Sequence, residues 1–123
     1  MISEDIEYIS KLMNDGFIKS PCLELGVGYG GPNCKSLVKS HGVDYIGTDL
    51  VSASEVDIIA DFESSTEVIE NIFCEREKFA SILVLNVLEH TFDPIKVLDN
   101  VFHILQPGGF CIIITPTVCL STT

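Results

Sequence analysis

A glycine-rich loop and three polar residues that follow strand-like runs are the parts of this sequence that could bind a ligand. The loop lies within Cys22–Gly31, which reads CLELGVGYGG and begins with a short apolar run. Glycines suit such a loop because they adopt positive φ angles and let a ligand approach the backbone. A glycine-rich surface turn would read similarly, since one glycine motif is a weak signal. The assignment therefore depends on what the chain places beside the loop.

The three polar residues are Asp49, Asp61 and Asn86. Asp49 follows the glycine loop at the interval at which doubly wound proteins place an acid on a ribose diol. A carboxylate can accept hydrogen bonds from both hydroxyl groups, so the residue type fits that task. Asp61, with the aromatic Phe62 after it, could hold a base. The alternatives are a turn-forming or helix-capping acid at Asp49 and a helix N-cap at Asp61.

Alternating strand and helix signals surround these residues. Apolar residues at helical spacing predict helices over about 3–18, 32–41, 66–73 and 94–105. Apolar runs predict strands over about 22–25, 43–49, 56–60, 79–87 and 110–115. Most of these runs are nearly continuous, which is typical of a parallel sheet buried on both faces. The predicted fold is α/β, doubly wound, with about five mostly parallel strands in the order 3-2-1-4-5 and helices on both faces.

Local signals also mark where several helices begin and end. Gly16 is predicted to end the first helix, and Pro32 could stand in the first turn of the second. Asp93 is predicted to cap the last helix, with Pro94 at its first position. The segment Pro107–Gly109 is predicted to stop that helix before the fifth strand.

The predicted fold brings the polar residues to one place. In a doubly wound sheet, ligands bind outside the carboxyl ends of the strands, at the switch point beside the first strand. The glycine loop, Asp49, Asp61 and Asn86 all fall at those ends. This convergence is the main reason to predict a ligand site.

Two ligand classes fit the glycine pattern. Gly26, Gly28 and Gly31 satisfy the dinucleotide pattern G-x-G-x-x-G, whereas Gly26, Gly28 and Gly30 satisfy G-x-G-x-G. Glu24 distinguishes the two, because a nearby acid opposes a doubly charged pyrophosphate but tolerates a ligand with an ammonium and a sulfonium. The residues alone therefore favour the second class and leave the first open.

Composition excludes several classes of protein. The chain has 123 residues and a formal net charge of −11, with few and scattered basic residues. Nucleic acid and an anionic membrane surface are therefore not expected partners. The five cysteines show no metal-ligand spacing, so no metal site is expected, and they are expected to be small apolar residues in a reducing compartment. No signal peptide or membrane span is visible, and a cytoplasmic location is expected.

At these motifs the chain resembles the class I S-adenosylmethionine-dependent methyltransferases, especially the small-molecule, type 11-like branch. Glu24–Gly30 resembles the family's first motif, E/D-x-G-x-G-x-G, and Asn86–His90 resembles the segment after strand four. Leu105–Gly109 resembles its L-x-P-G-G turn. The resemblance spans nearly the whole chain.

The resemblance implies S-adenosylmethionine as cofactor and a cofactor site of nine residues: Glu24, Gly26, Gly28, Gly30, Asp49, Leu50, Asp61, Phe62 and Asn86. The three glycines would admit the methionine part, and Asp49 would bind the ribose hydroxyls. Asp61 and Phe62 would contact adenine. The Asn86 carbonyl would lie near the ammonium, and Glu24 would orient the loop or reach the amino group through water.

The sequence gives fewer signals for the methyl acceptor and the catalytic residues than for the cofactor site. His90 is a weak candidate for a general base, since an imidazole titrates near neutral pH. The alternative for Glu89 and His90 is structural: they would hold the turn between the fourth strand and the last helix. A small-molecule acceptor is expected, and no other residue stands out as catalytic.

Three functions remain open at this point. The first is methyl transfer to a small molecule, and the second is a cofactor-binding or regulatory module without turnover. The third, an NAD-binding domain, is disfavoured by Glu24 and by Pro107–Gly109.

The C-terminus departs from the family's usual pattern. Members usually add further strands after the fifth, so residues 1–123 are expected to form a single domain that is C-terminally truncated. The fifth strand is then expected to be an apolar edge, with a homodimer through that edge as one outcome.

Overall fold

The computed structural model describes residues 3–28 and 33–116. The helices are α1 (Ser3–Asn14), α2 (Lys35–Ser40), α3 (Thr66–Phe73) and α4 (Pro94–His103), with a short 3-10 helix at Leu88–His90. The strands are β1 (Cys22–Leu25), β2 (Tyr45–Asp49), β3 (Ile58–Ile59), β4 (Phe79–Leu85) and β5 (Leu105–Ile114). All pair in parallel in the order β3-β2-β1-β4-β5. The predicted doubly wound sheet is confirmed.

Helices cover both faces of the sheet because neighbouring residues of each strand point to opposite sides. Leu23 of β1 packs in one apolar cluster with residues of α3 and α4, such as Ile69 and Val101. Cys22, its neighbour, packs in a second cluster with α1 and α2, including Ile9. Burial raises the pKa of the Cys22 thiol to about 12, so this cysteine is an apolar core residue, as expected.

Several helices and strands are shorter in the structure than the sequence predicted. The first helix ends at Asn14, and the chain then turns at Gly16 with φ +81°. The third strand is limited to Ile58–Ile59, and β4 ends at Leu85. The reason at β4 is local, because Asn86 adopts φ +58° and leaves the extended conformation. Helix α2 begins at Lys35, and the Pro32 prediction lies outside the described residues.

The prediction that Pro107–Gly109 forms a turn before the fifth strand is wrong. Helix α4 already ends at His103, and the proline-glycine segment lies inside β5. The register against β4 shifts between Phe79 and Ser81, and Gly108 has φ +79° there. Such a bulge absorbs extra residues in one strand, and a proline is tolerated at it because the ladder is interrupted.

Strand β5 lies at the edge of the described sheet, as expected. Phe110 and Ile113 are more than two-fifths exposed, and Phe17 packs edge-on against Phe110 with ring centroids 5.2 Å apart. Self-association through this edge stays a prediction. Among the described residues, no helix has the length and apolar character needed to cross a bilayer.

Asn100 is a fully buried polar residue that joins α4 to the loop after β3. Its Nδ2 donates to the carbonyl oxygens of Phe62 and Ser64, each at 2.8 Å, and its Oδ1 accepts from Thr66 Oγ1 at 3.1 Å. All the hydrogen-bonding groups of this amide side chain therefore have partners. The loop that carries Asp61 and Phe62 is held to the helix by these bonds.

We expect Asn100→Ala to lower the free energy of unfolding by about 2–4 kcal/mol, because two carbonyl groups lose their buried donor. Urea denaturation followed by circular dichroism measures this change. Asn71→Ala makes the same substitution at an exposed position of α3 and should change stability by less than about 0.5 kcal/mol. Equal losses of stability in the two variants would contradict the assignment of Asn100 as the residue that holds the loop after β3 to α4.

Candidate functional site

A cleft of about 550 Å³ lies at the carboxyl ends of β1, β2 and β4. Seven of the residues predicted for the site line it: Gly26, Asp49, Leu50, Asp61, Phe62, Asn86 and His90. Glu24 and Gly28 are not among its lining residues, and Gly30 lies outside the described residues. Half of the fourteen residues that line this cleft were therefore named from the sequence, and their contact with a cofactor stays a prediction.

Asp49 connects the end of β2 to the glycine loop. The residue is 7% exposed; its Oδ2 accepts from the Gly28 amide at 2.7 Å and its Oδ1 from the Leu50 amide at 2.7 Å. A carboxylate has about four acceptor positions, so this one retains capacity toward the cleft. The bond to Leu50 is turn-like, whereas the bond to Gly28 is a long-range contact that a turn-forming acid does not need.

Two glycines of the loop are required by the packing of the protein itself. A Cβ on Gly28 would lie 2.7 Å from Asp49 Oδ2, and one on Gly26 would lie 2.8 Å from Val87 Cγ2. Gly26 also has φ +78°, which side-chain-bearing residues rarely adopt. Both glycines therefore keep the loop close to the ends of β2 and β4.

The described amides of the loop are committed to acceptors within the protein. Gly26 and Val27 donate to the Thr48 carbonyl at 2.8 and 3.4 Å, and Gly28 donates to Asp49. A pyrophosphate bound at such a loop needs free amide donors. Among the described residues, this loop presents carboxylate and carbonyl acceptors instead.

Glu24 is a buried side chain of β1, 3% exposed. Its Oε1 accepts from the Cys34 amide at 2.9 Å and from Tyr45 Oη at 2.7 Å. Burial raises the pKa of the Glu24 carboxyl, and these two hydrogen bonds oppose that rise. The contacts link β1 to the segment before α2, which supports the orienting role. A contact between Glu24 and the cofactor stays a prediction.

The loop after β3 forms another wall of the cleft. Asp61 is exposed, and its Oδ1 accepts from the Glu63 amide at 2.9 Å. The N-cap of α3 is Ser65, so the helix-cap alternative for Asp61 is wrong. Phe62 is buried in the core, with its ring centroid 6.0 Å from that of Phe73. The wall thus combines a fixed apolar ring with an exposed acceptor.

His90 lies on the wall formed by the 3-10 helix, with its side chain 79% exposed. Its Nε2 is 4.0 Å from the Glu89 carboxylate. The turn itself is held by Thr91, whose Oγ1 donates to the Leu88 carbonyl at 2.8 Å. The His90 amide also donates to the Val87 carbonyl at 3.0 Å within this turn, so the structural and catalytic interpretations of Glu89 and His90 both stay predictions.

Some cleft residues were not predicted from the sequence. Val87 lies within the Asn86–His90 segment, where no role was predicted for it, and Thr91 comes directly after that segment. Glu63 was not predicted either; its Oε1 accepts from the Asp93 amide at 2.7 Å, which joins the loop after β3 to the N-cap of α4. This contact joins residues 30 positions apart, so no local sequence pattern predicts it.

A second cleft, of about 590 Å³, lies near the amino end of β4. Its walls come from the ends of α3 and α4 and include acidic and basic side chains, among them Glu70 and Arg76. The glycine loop and Asp49 do not border it. The first cleft is therefore the one that the fold places at the switch point.

The fold and the cleft define a Rossmann-like domain with a candidate ligand site at the switch point of its sheet. A family model described as "Methyltransferase domain" matches residues 3–122. The chain belongs to this family, which is of the class I S-adenosylmethionine-dependent type. This membership implies S-adenosylmethionine as the cofactor.

Curated relatives include two ubiquinone biosynthesis O-methyltransferases. That of Actinobacillus pleuropneumoniae is 27% identical over 116 residues, covering 85% of this chain and 48% of the relative. That of Xylella fastidiosa is 30% identical over 112 residues, covering 85% and 44%. The chain thus spans about half the length of the curated relatives that it matches.

Two solved structures share the fold. A sarcosine dimethylglycine methyltransferase candidate from Galdieria sulphuraria aligns with a TM-score of 0.64 and 22% identity, covering 88% of this chain and 43% of that one. An S-adenosylmethionine-dependent methyltransferase from Archaeoglobus fulgidus aligns with a TM-score of 0.64 and 16% identity, covering 89% and 52%. At these identities the likeness supports the fold.

The raised pKa of Glu24 predicts a pH dependence of stability. Between the ordinary value of 4.5 and the raised value, the unfolded chain releases this proton while the folded chain keeps it. The free energy of unfolding therefore falls as pH rises through that window, on the order of 1 kcal/mol for each pH unit. We expect Glu24→Gln to lack this fall.

Urea denaturation of both proteins from pH 4.5 to 8 measures the difference in stability. Glu7→Gln, at an exposed position of α1, is the matched control and should follow the wild-type curve. A difference between wild type and Glu24→Gln that stays constant, or grows in favour of the wild type with rising pH, would show that the pKa is not raised.

Proposed function

We propose that this domain binds S-adenosylmethionine in the 550 Å³ cleft and takes part in methyl transfer to a small-molecule acceptor. One observation carries the proposal most directly. The buried carboxylate of Asp49 lines the cleft at the end of β2, is tied to Gly28, and retains acceptor capacity for two hydroxyl groups.

The residues of the cleft fit the chemical groups of this cofactor. Asp49 would accept from the ribose hydroxyls, and Asp61 beside Phe62 would offer an acceptor and an apolar surface to adenine. The Asn86 carbonyl and the acidic surroundings suit an ammonium group. When bound, the cofactor supplies a methyl group on a positively charged sulfur. The chain's own residues bind it, orient it and exclude water.

The loop amides disfavour the NAD-binding alternative. The described loop amides, those of Gly26, Val27 and Gly28, already donate to protein oxygens, and the buried acid Glu24 precedes the loop by two residues. Both features oppose an anion with several negative charges and tolerate a ligand with positive groups.

For the acceptor we propose a hydroxyl group, because both reported curated relatives are named O-methyltransferases. Removing a proton from a hydroxyl would call for a base, and His90 lines the cleft with an exposed imidazole. A ring nitrogen of His90 would take the proton, and the Glu89 carboxylate near Nε2 would stabilise the resulting charge. The other candidate, a cofactor-binding module without turnover, differs only in this step.

We expect Asp49→Ala to weaken S-adenosylmethionine binding by about 1.5–3 kcal/mol, the scale of hydrogen bonds lost from a charged group. Isothermal titration calorimetry measures the affinity, and S-adenosylhomocysteine should show the same loss. NAD should bind neither protein.

The matched control is Asp57→Ala. Asp57 is an exposed acid whose Oδ2 accepts from the Gly47 amide at 2.8 Å, so it too links a carboxylate to the backbone near β2, but away from the cleft. Its affinity should match that of the wild type. Unchanged affinity in a folded Asp49→Ala protein would remove Asp49 from the site, and tight NAD binding would overturn the cofactor assignment.

Turnover separates the enzyme from the binding module. We expect transfer of a labelled methyl group to a member of a panel of small phenols and alcohols. His90→Asn should lower the rate at neutral pH by about 10²-fold or more, with less loss at high pH for the phenols, whose hydroxyl groups then ionise without a base. His41→Asn, at an exposed position outside the cleft, is the control. Cofactor binding without any methyl transfer would favour the binding module.

A further inference from the structure

Asn86 adopts a backbone conformation that side-chain-bearing residues rarely take. Its φ of +58° lies in the left-handed region, where asparagine is among the better tolerated residues and most others are strained. Among the described residues it is the only non-glycine residue with positive φ. The conformation ends β4 and places Asn86 in the cleft wall.

Two contacts from different elements hold this conformation. The Asn86 amide donates to the Ile114 carbonyl of β5 at 2.7 Å. The side-chain Nδ2 donates to Oδ2 of Asp5, in the first turn of α1, at 3.2 Å. The second contact joins residues 81 positions apart and reaches from the N-terminal helix to the cleft wall.

The described side chains of α1 before Ile9 are exposed, apart from that of Asp5, which is half-buried. Ile6 and Tyr8 are exposed, whereas Ile9 and Met13, further along, are buried in the second apolar cluster. The C-terminal half of the helix is therefore anchored by packing. In the described part of its N-terminal half, the Asp5 carboxylate makes the hydrogen bond that reaches Asn86.

We propose that Asp5 is a positioning residue for the cofactor site: its hydrogen bond to Asn86 couples docking of the first turns of α1 to the conformation of the cleft wall. The cofactor binds the state in which Asn86 is held, so it also favours the docked state of α1. By linkage, each of the two events strengthens the other. The inference rests on cofactor binding in the proposed cleft and does not depend on turnover.

Four variants test this coupling by calorimetry with S-adenosylhomocysteine. Asp5→Ala removes the acceptor and should weaken affinity by about 3- to 10-fold, the scale of one hydrogen bond. Asp5→Asn keeps an acceptor oxygen and should restore most of the affinity. Glu4→Ala removes a neighbouring exposed acid from the same turn and should bind like the wild type. A general loss of charge or helicity would affect the last variant as well.

The fourth variant, Asn86→Gly, removes the side-chain donor while permitting the positive φ. Adding Asp5→Ala to Asn86→Gly should cause no further loss of affinity, because the bond is already absent. Hydrogen exchange gives a second readout: S-adenosylhomocysteine should protect amides in the first turns of α1 in the wild type and protect them less in Asp5→Ala.

The outcomes distinguish this inference from the proposed function. Wild-type affinity in Asp5→Ala, or an equal loss when it is added to Asn86→Gly, overturns the positioning role alone. Absence of any binding of S-adenosylhomocysteine to the wild type overturns both proposals. Binding with the expected coupling but no methyl transfer supports the positioning role and removes the enzymatic one.

Discussion

The hydrogen bond from the Gly28 amide to the Asp49 carboxylate is the constraint on which the site depends. It draws the loop after β1 against the end of β2, so closely that any side chain at Gly28 would meet the carboxylate oxygen. The same compression acts at Gly26, where Val87 occupies the space of a side chain. Two glycines and one acid therefore define a single arrangement. Asp49 also lines the cleft, so the acceptor capacity left on its carboxylate is available to a ligand there.

The acidic character of the site follows from the same arrangement of loop and strands. Glu24 and Asp49 are both buried next to the loop, in a chain with a formal net charge of −11. Hydrogen bonds from backbone amides or a hydroxyl group partly offset the unfavourable burial of both carboxyl groups. Burial nevertheless raises the pKa of Glu24. Those donors are consumed within the protein, so the described part of the loop offers a ligand oxygen acceptors. Such a surface suits sugar hydroxyls, which both ligand classes carry. It also suits the ammonium and sulfonium of S-adenosylmethionine, whereas it opposes the negative charges of a dinucleotide's pyrophosphate.

The sequence predicted the parts of this molecule that local chemistry determines. The N-cap at Asp93 and the burial of β1 and β4 follow from residue type and spacing within a few positions. The bulge at Gly108 was missed because it depends on how β5 pairs with β4. From the sequence, Asp61 could be either a ligand-binding acid or a helix N-cap. Only the structure shows that Ser65 caps α3. The bond between Asp5 and Asn86 lay beyond prediction, since it joins the two ends of an 81-residue interval.

The walls of the cleft are held in a similar way: in each, a polar side chain forms hydrogen bonds between a loop and a helix or strand with a buried face. Asn100 of α4 binds two carbonyls of the loop after β3, and Glu63 binds the amide of Asp93. Loops held in this way lose less freedom when a ligand arrives, so more of the contact energy appears as affinity. That property matters most where the reactivity resides in the cofactor and the protein contributes alignment. In this domain the wall at Asn86 differs from the others, because its side-chain tie leads to a helix turn that is itself largely exposed. It is therefore the wall at which binding and motion are most readily coupled.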